Sequence, residues 1–313
     1  MRTVSLGPTD VQVSALCLGT MHLGNRTDPE TSYEILDRYL AAGGSFLDTA
    51  NNYAVWVPGC SGGESEGFLG QWMRERRNRH ELFIATKVGF EYEGVERGLR
   101  AEQIAYECEK SLRRLGIETI DLYYAHRDDR TTPLEETLEA FCRLVAAGKV
   151  RYVGASNYLA WRLEEARWIS QENGWPPFCC IQQRYSYLRP NPGADFGHQT
   201  ACNTDLLDYT RARGLRLLAY SSLLGGSYVR TDRPVAGQYQ GPDTDARLEA
   251  LRTVAAHVDA TPNRVVLAWL MQSEPAVIPL FGASSVVQLE ENLGALEVRL
   301  DPEQMARLNE ASC

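Results

Sequence analysis

Thr119-Ile120-Asp121-Leu122-Tyr123-Tyr124-Ala125-His126 is a run of strand-forming residues that stops on a histidine. Thr132-Pro133 then signals a helix start, apolar residues recur three and four apart as far as Ala147, and Gly148 ends the pattern. Val150–Ala155 is a second strand-like run. Strand, helix and strand in so short a span form a βαβ unit, whose right-handed crossover makes the two strands parallel neighbours. The unit recurs on both sides. Strands are expected at Ala15–Leu18, Ser45–Asp48, Leu82–Val88, Thr119–Ala125, Val150–Ala155, Cys179–Gln182, Leu215–Tyr220 and Val277–Leu280. Helices are expected at Pro29–Ala42, Glu64–Arg77, Ala101–Leu115, Pro133–Ala147, Leu159–Glu172, Thr204–Arg213, Asp245–Val258 and Ser285–Leu296, with two more at Pro262–Gln272 and Pro302–Ser312. Ahead of them, Thr3-Val4-Ser5-Leu6 and Val11-Gln12-Val13-Ser14 flank Gly7-Pro8-Thr9-Asp10 and predict a β-hairpin. Eight strands, each followed by a helix, predict an α/β fold: a closed (β/α)8 TIM barrel, one domain spanning 1–313, with an N-terminal hairpin and extra C-terminal helices. No GxGxxG follows the first strand to favour an open dinucleotide-binding sheet.

Composition narrows the partners. Acidic residues outnumber basic ones 41 to 32, for a net charge of −9, which argues against nucleic acid or an anionic membrane surface. The longest apolar run, Val265 to Met271, is far too short to span a bilayer, and Met1-Arg2-Thr3-Val4-Ser5 lacks the apolar core of a signal peptide. The eight cysteines form no CxxC pair and no zinc-ligand spacing, so reduced thiols, a cytoplasmic location and no metal are expected. Nothing indicates an oligomer.

In a barrel the chemistry gathers at the carboxyl ends of the strands. There the expected strands place Asp48, Lys87, His126, Ser156-Asn157, Gln182, Tyr220-Ser221 and Gly282-Ala283-Ser284-Ser285, with Tyr53 just beyond Asp48. Taken singly, each has an ordinary structural explanation. Together, Asp48, Tyr53, Lys87 and His126 solve one problem. A phenol ionises near pH 10, too high for efficient proton transfer at neutral pH, and a buried ammonium beside it favours the phenolate. The ammonium needs a carboxylate to offset its own desolvation. An imidazole can hydrogen-bond the substrate oxygen. Only three lysines occur in the chain, Lys87, Lys110 and Lys149, and one of them falls here.

These motifs resemble the aldo-keto reductase superfamily over nearly the whole chain. They comprise Leu18-Gly19-Thr20-Met21, Phe46-Leu47-Asp48-Thr49-Ala50, Tyr53, Gly63-Glu64-Ser65-Glu66 and Thr86-Lys87. They continue through Asp121-Leu122-Tyr123-Tyr124-Ala125-His126, Gly148-Lys149-Val150-Arg151, Gly154-Ala155-Ser156-Asn157, Gln182 with Tyr185-Ser186, and Tyr220-Ser221-Ser222-Leu223. The last are Gly282-Ala283-Ser284-Ser285 and Leu289-Glu290-Glu291-Asn292-Leu293. The later motifs are most similar to the branch holding potassium-channel β subunits and bacterial reductases. The resemblance implies an NAD(P)H-dependent reduction of an aldehyde or ketone to the alcohol, with NADPH preferred over NADH. It implies Tyr53 as general acid, Lys87 paired with Asp48 as its tuner, and His126 as the group orienting the carbonyl. It implies a cofactor site of Gly19, Thr20, Ser156, Asn157, Gln182, Tyr220, Ser221, Leu223, Gly282, Ser284, Gln288, Glu291 and Asn292. Of Gln182 and Gln183, the spacing to Tyr185-Ser186 favours the first, and alternation lets only one face inward.

Some features depart from the family pattern. Ser284 and Ser285 stand where many NADPH-preferring members carry Arg or Lys, and the loop after the seventh strand offers only Arg230 or Arg233 as a pyrophosphate clamp. On the substrate side Trp56, Phe90 and Tyr92 are candidates for an apolar wall, and Arg127 and Asp128 for polar contacts. Asp128 or Asp129 as acceptors would suit a sugar or cyclitol-type ketone. The competing readings are a nucleotide-sensing regulatory subunit with weak activity, and a metal-dependent or isomerase barrel, for which only Asp48 and His126 qualify.

Overall fold

The computed structural model describes residues 1–312; Cys313 lies outside the described residues. The chain opens with β1 (Thr3–Ser5) and β2 (Gln12–Ser14), antiparallel with Val4 opposite Val13. The alternation follows: β3 (Cys17–Gly19), α1 (Pro29–Ala41), β4 (Phe46–Asp48), α2 (Glu64–Arg76), β5 (Phe83–Val88), α3 (Ala101–Leu115), β6 (Ile120–Ala125) and α4 (Leu134–Ala146). It continues with β7 (Val150–Ser156), α5 (Ala160–Asn173), β8 (Cys180–Arg184), α6 (Thr204–Arg213), β9 (Arg216–Tyr220), α7 (Thr244–His257), α8 (Pro262–Gln272), β10 (Val277–Phe281), α9 (Val286–Leu293) and α10 (Pro302–Glu310). The eight strands from β3 to β10 close in chain order, β10 pairing with both β3 and β9, into a parallel (β/α)8 barrel.

Local chemistry sets the element ends. Asp28 accepts a hydrogen bond from the Thr31 amide at 2.9 Å and Pro29 opens α1, where a missing N–H costs nothing. Asp301 and Gln304 cap α10 reciprocally. α3, α5 and α6 stop at Gly116, Gly174 and Gly214, each with φ between +63° and +68°.

Both helices expected between the seventh and eighth strands form: α8 packs against β10, while α7 packs against α8 and α10. The reason is composition: Val265 through Met271 are all buried, as a helix between sheet and outer helices requires.

The strand period of two divides the core. Leu47, Ile84, Tyr123 and Ile181 face the helices. Phe46, Phe83, Ala85, Leu122, Tyr124, Cys180, Leu218 and Ile278 fill the lumen, and Leu6 and Val13 of the hairpin close it from below. Gly154 belongs to this packed layer: a Cβ there would lie 2.8 Å from the Tyr124 ring and 2.9 Å from Cys180 Sγ. The seven described cysteines are all free thiols. Among the described residues no helix is long and apolar enough to cross a membrane, and no group of three or more His, Cys, Asp or Glu is placed to hold a metal ion.

Candidate active site

Two residues beyond each lumen layer, the same alternation delivers polar side chains to the carboxyl-end mouth. Phe46 is followed inward by Asp48, Ala85 by Lys87, Tyr124 by His126, Cys180 by Gln182 and Leu218 by Tyr220. Gln182 Nε2 donates to Asp48 Oδ2 across the lumen at 2.8 Å, whereas Gln183 Nε2 donates to the Tyr158 carbonyl at 3.2 Å on the opposite face.

Tyr53 reaches the mouth from a turn rather than a strand. Past Asp48 the chain still pairs with β5, Thr49 N donating to the Ala85 carbonyl at 2.9 Å and Asn51 N to the Lys87 carbonyl at 3.3 Å. The Tyr53 amide then donates to the Ala50 carbonyl at 3.2 Å, and Ala54 takes φ +79°. That turn sets Tyr53 Oη 2.8 Å from Lys87 Nζ. Lys87 Nζ also donates to the Thr49 carbonyl at 2.7 Å and to Asp48 Oδ1, with both members of the ion pair fully buried. The lysine's three N–H groups are therefore all engaged.

Burial works against charge throughout this cluster. It opposes the Lys87 ammonium, but Asp48 and Tyr53 together outweigh it and hold the amine above the ordinary lysine range. For Tyr53 the balance differs from the sequence-based expectation of an acidified phenol. Burial pushes its hydroxyl up, Lys87 pulls it down, Asp48 pushes it up again, and the net direction is upward. Burial is the largest of these influences, and with Asp48 it outweighs the Lys87 ammonium. Tyr53 accordingly holds its proton at neutral pH.

His126 is 8% exposed, and burial followed by Lys87 and Arg127 keeps its imidazole well below the usual range, hence neutral. Its Nδ1 is buried without a partner. The ring meets Phe90 edge-on at 4.5 Å and lies 6.1 Å from the Tyr53 ring, which in turn lies 6.0 Å from Trp56. Tyr92 leaves the apolar wall proposed for it: its hydroxyl bonds to Glu107, Lys110 and Arg114 behind the turn. Asp128 is engaged as well, by Arg162 Nε at 3.1 Å on one oxygen and by Arg130 on the other. Asp129 accepts from the Leu99 amide at 2.9 Å, from Thr132 Oγ1 at 2.7 Å and from Thr131. Each carboxylate oxygen of the two acids thus already accepts at least one hydrogen bond from this chain.

On the far side of the mouth, Tyr220 Oη donates to Asn157 Oδ1 at 2.6 Å, and Asn157 Nδ2 donates to Ser156 Oγ at 3.1 Å and to the His126 carbonyl at 3.0 Å. Asn157 and Ser221 both sit at positive φ, +58° and +55°, a conformation side-chain-bearing residues rarely take. Gly19 and Thr20 end β3, and Thr20 is buried with its hydroxyl bonded to the Asp48 carbonyl at 3.0 Å and to Ser65 Oγ at 2.9 Å. Leu223 follows in the loop after β9, where Arg230 pairs with Asp232 and Arg233 reaches the Gly225 carbonyl at 3.3 Å. At the end of β10, Gln288 Oε1 accepts from the Ser284 amide at 2.9 Å and its hydroxyl at 3.0 Å, while Asn292 Nδ2 reaches the Gly282 carbonyl at 3.4 Å. Glu291 pairs with Arg264 at 3.0 Å beside an open hollow of about 340 Å³.

The sequence reading missed the support behind Tyr53. Asn51 Nδ2 donates to Glu107 Oε2 at 2.8 Å, and Arg114 Nη1 reaches the Asn51 carbonyl at 3.4 Å and Glu66 Oε2 at 3.1 Å. Glu66 in turn accepts from Thr86 Oγ1 at 2.6 Å. Glu66 and Glu107 are each fully buried. Two acidic residues on the apolar faces of predicted helices were the available signal.

The model of the Aldo/keto reductase family matches residues 15–312. An uncharacterized oxidoreductase of Bacillus subtilis, YrpG, is 32% identical over 99% of this chain and 95% of its own length. Norsolorinic acid reductase A of Aspergillus parasiticus is 31% identical over 96% of this chain and 78% of its own. The aryl-alcohol dehydrogenase (NADP(+)) of Phanerodontia chrysosporium is 30% identical over 96% of this chain and 83% of its own. With the pattern running from Ala15 into the last residues of the chain, this protein belongs to the aldo/keto reductase family and is an oxidoreductase of that carbonyl-reducing group.

Proposed function

We propose that this protein reduces an aryl aldehyde or ketone to the alcohol with NADPH, Tyr53 serving as the general acid. The observation that carries the reading is the 2.8 Å contact of Tyr53 Oη with an ammonium that is itself held by a buried carboxylate. A dinucleotide fits the donors opposite: the joined Ser156, Asn157 and Tyr220, the buried unpartnered Ser222 hydroxyl, and Gln182 in reach of the lumen. Ser156, Asn157, Gln182 and Tyr220 would hold its nicotinamide, Ser221 and Leu223 its pyrophosphate, and Gly282, Ser284, Gln288, Glu291 and Asn292 its adenosine. When bound, it supplies the hydride.

The chain's residues supply the rest. The neutral His126 imidazole donates a hydrogen bond to the carbonyl oxygen and aligns it with the Tyr53 hydroxyl. Tyr53 transfers its proton to that oxygen as negative charge develops there. The phenolate left behind faces Lys87, whose charge Asp48 preserves. Burial keeps the phenol protonated at neutral pH, and the Lys87 ammonium, which pulls the other way, stabilises the phenolate as the proton leaves. Phe90 and Trp56 offer an aromatic wall beside this pair, and the relative named for aryl alcohols and NADP(+) points to the same substrate class and cofactor.

Tyr53→Phe tests the reading. The expected result is a turnover loss of about 10²–10⁴-fold, the usual worth of a general acid. NADPH binding, followed by quenching of its fluorescence, should stay within about twofold. Turnover at the wild-type level would remove Tyr53 from the acid role, and tighter binding of NADH than of NADPH would overturn the cofactor.

A further inference from the structure

Arg127 is the group at this mouth whose cost is unexplained. It follows His126, is half-buried, and its Cζ lies 5.5 Å from the centre of the Phe90 ring, the same ring that packs on His126. Its Nη1 is buried without an acceptor, and among the described residues no carboxylate forms an ion pair with it. The acids around it are otherwise engaged or out of reach. Asp128 is held by Arg162 and Arg130, Asp129 by Leu99, Thr131 and Thr132, and Glu91 is exposed and beyond ion-pair distance. Burial and the neighbouring Arg97 work against the guanidinium's charge, and the fields of Glu91, Asp129 and Asp128 offset them only in part. A guanidinium nitrogen buried without an acceptor is destabilising unless something else completes it.

We propose that Arg127 completes an anion subsite and that the carbonyl substrate carries a carboxylate, which the guanidinium binds while the carbonyl lies against Tyr53 and His126. The proposal rests on the reductase reading and names its substrate class. A carboxylate fits better than a phosphate ester. The planar guanidinium presents paired donors that match a planar carboxylate, and Glu91, Asp128 and Asp129 nearby disfavour a second negative charge. The Phe90 ring under the guanidinium offers an aromatic surface that also suits an aryl ring between the two functional groups.

The test pairs 3- and 4-formylbenzoate with their methyl esters, which differ in charge and little in shape. In wild-type enzyme the acid should exceed its ester in kcat/KM by tenfold or more for at least one isomer. Arg127→Gln should lower that acid-to-ester ratio at least tenfold, mainly through KM of the acid, and Arg127→Lys should retain an intermediate ratio. An ester preference in the wild type, or a ratio unmoved by Arg127→Gln, overturns the proposal. Absence of turnover with all four compounds would instead overturn the reductase reading. Calorimetric titration with formylbenzoate then decides the subsite separately: binding that Arg127→Gln abolishes supports it, and binding equal in both proteins or absent from the wild type overturns it.

Discussion

The decisive contacts are between single side chains, and their energetics are those of a buried ion pair. Removing one member of the Asp48–Lys87 pair strands the other's charge at zero exposure, which typically costs about 3–5 kcal/mol, whereas neutralising both is close to neutral. The double variant Asp48→Asn, Lys87→Met therefore separates chemistry from folding. It should melt within a few degrees of wild type yet turn over about 10²–10⁴-fold more slowly, since the phenolate has lost its ammonium. Turnover near the wild-type rate would show that Tyr53 works without the pair. The same side chains set the pH profile. Tyr53 is shifted above its ordinary value of about 10 and His126 below its ordinary value of about 6.5, so neither titrates across the neutral range. Reduction, which needs protonated Tyr53, should stay flat from about pH 6.5 to 9 and fall only above about pH 10. Much of this scale was legible beforehand. Period-two alternation orients Asp48, Lys87, His126 and Tyr220 inward and lets only one of Gln182 and Gln183 join them; the family resemblance selects Gln182. Alternation could not reveal that burial would outweigh Lys87 at the phenol, nor that Asp128 would meet Arg162, because both depend on what surrounds a side chain rather than on its place in a strand.

At the scale of elements, the site depends on how α2 and α3 pack behind the turn that carries Tyr53. The turn has little regular structure of its own and leans on Glu107 and Arg114 of α3 and on Glu66 of α2. Their side chains meet only after two crossovers dock side by side, which is why neither helix's sequence announces the network, although each helix was bounded to within a residue. Glu107 accepts from Asn51, two positions before Tyr53, and from Tyr92 and Lys110. Glu107→Gln keeps the shape but removes the charge that Lys110 and Tyr92 address. The expected cost is about 1–3 kcal/mol in denaturant unfolding, the range for a buried hydrogen-bonded charge. A several-fold fall in kcat should accompany it, with dinucleotide binding retained, because the turn on one side of the mouth loosens while the Asn157–Tyr220 side does not. A loss of binding with kcat preserved would mean that the network serves the opposite side.

Across the whole molecule the barrel separates stability from chemistry, as parallel barrels do: polar side chains gather at the carboxyl ends and the floor is sealed by apolar ones. Here the seal is the β1–β2 hairpin. Leu6 and Val13 have no exposed surface and pack with Phe46, Phe83 and Ile278 at the base of the lumen. Arg216 fastens the hairpin by donating to the Ser5 carbonyl at 3.0 Å and the Ala276 carbonyl at 2.7 Å. Gly7 brings the backbone so close that a Cβ would fall 1.9 Å from the Cys179 carbonyl oxygen, and its φ of +61° admits few other residues. Leu6→Ala opens a cavity that this tight floor cannot collapse, at a cost of about 2–5 kcal/mol. Gly7→Ala must either push the hairpin off β8 or strain its turn. Both variants should lower the melting temperature and the denaturant midpoint clearly. At temperatures where they remain folded, their kcat/KM should stay within about twofold of wild type, because Asp48, Tyr53, Lys87 and His126 sit at the opposite end of the lumen, beyond its packed side chains. A fall in kcat/KM in step with the loss of stability would show instead that the floor holds the mouth in register, and the separation of the two ends would not describe this barrel.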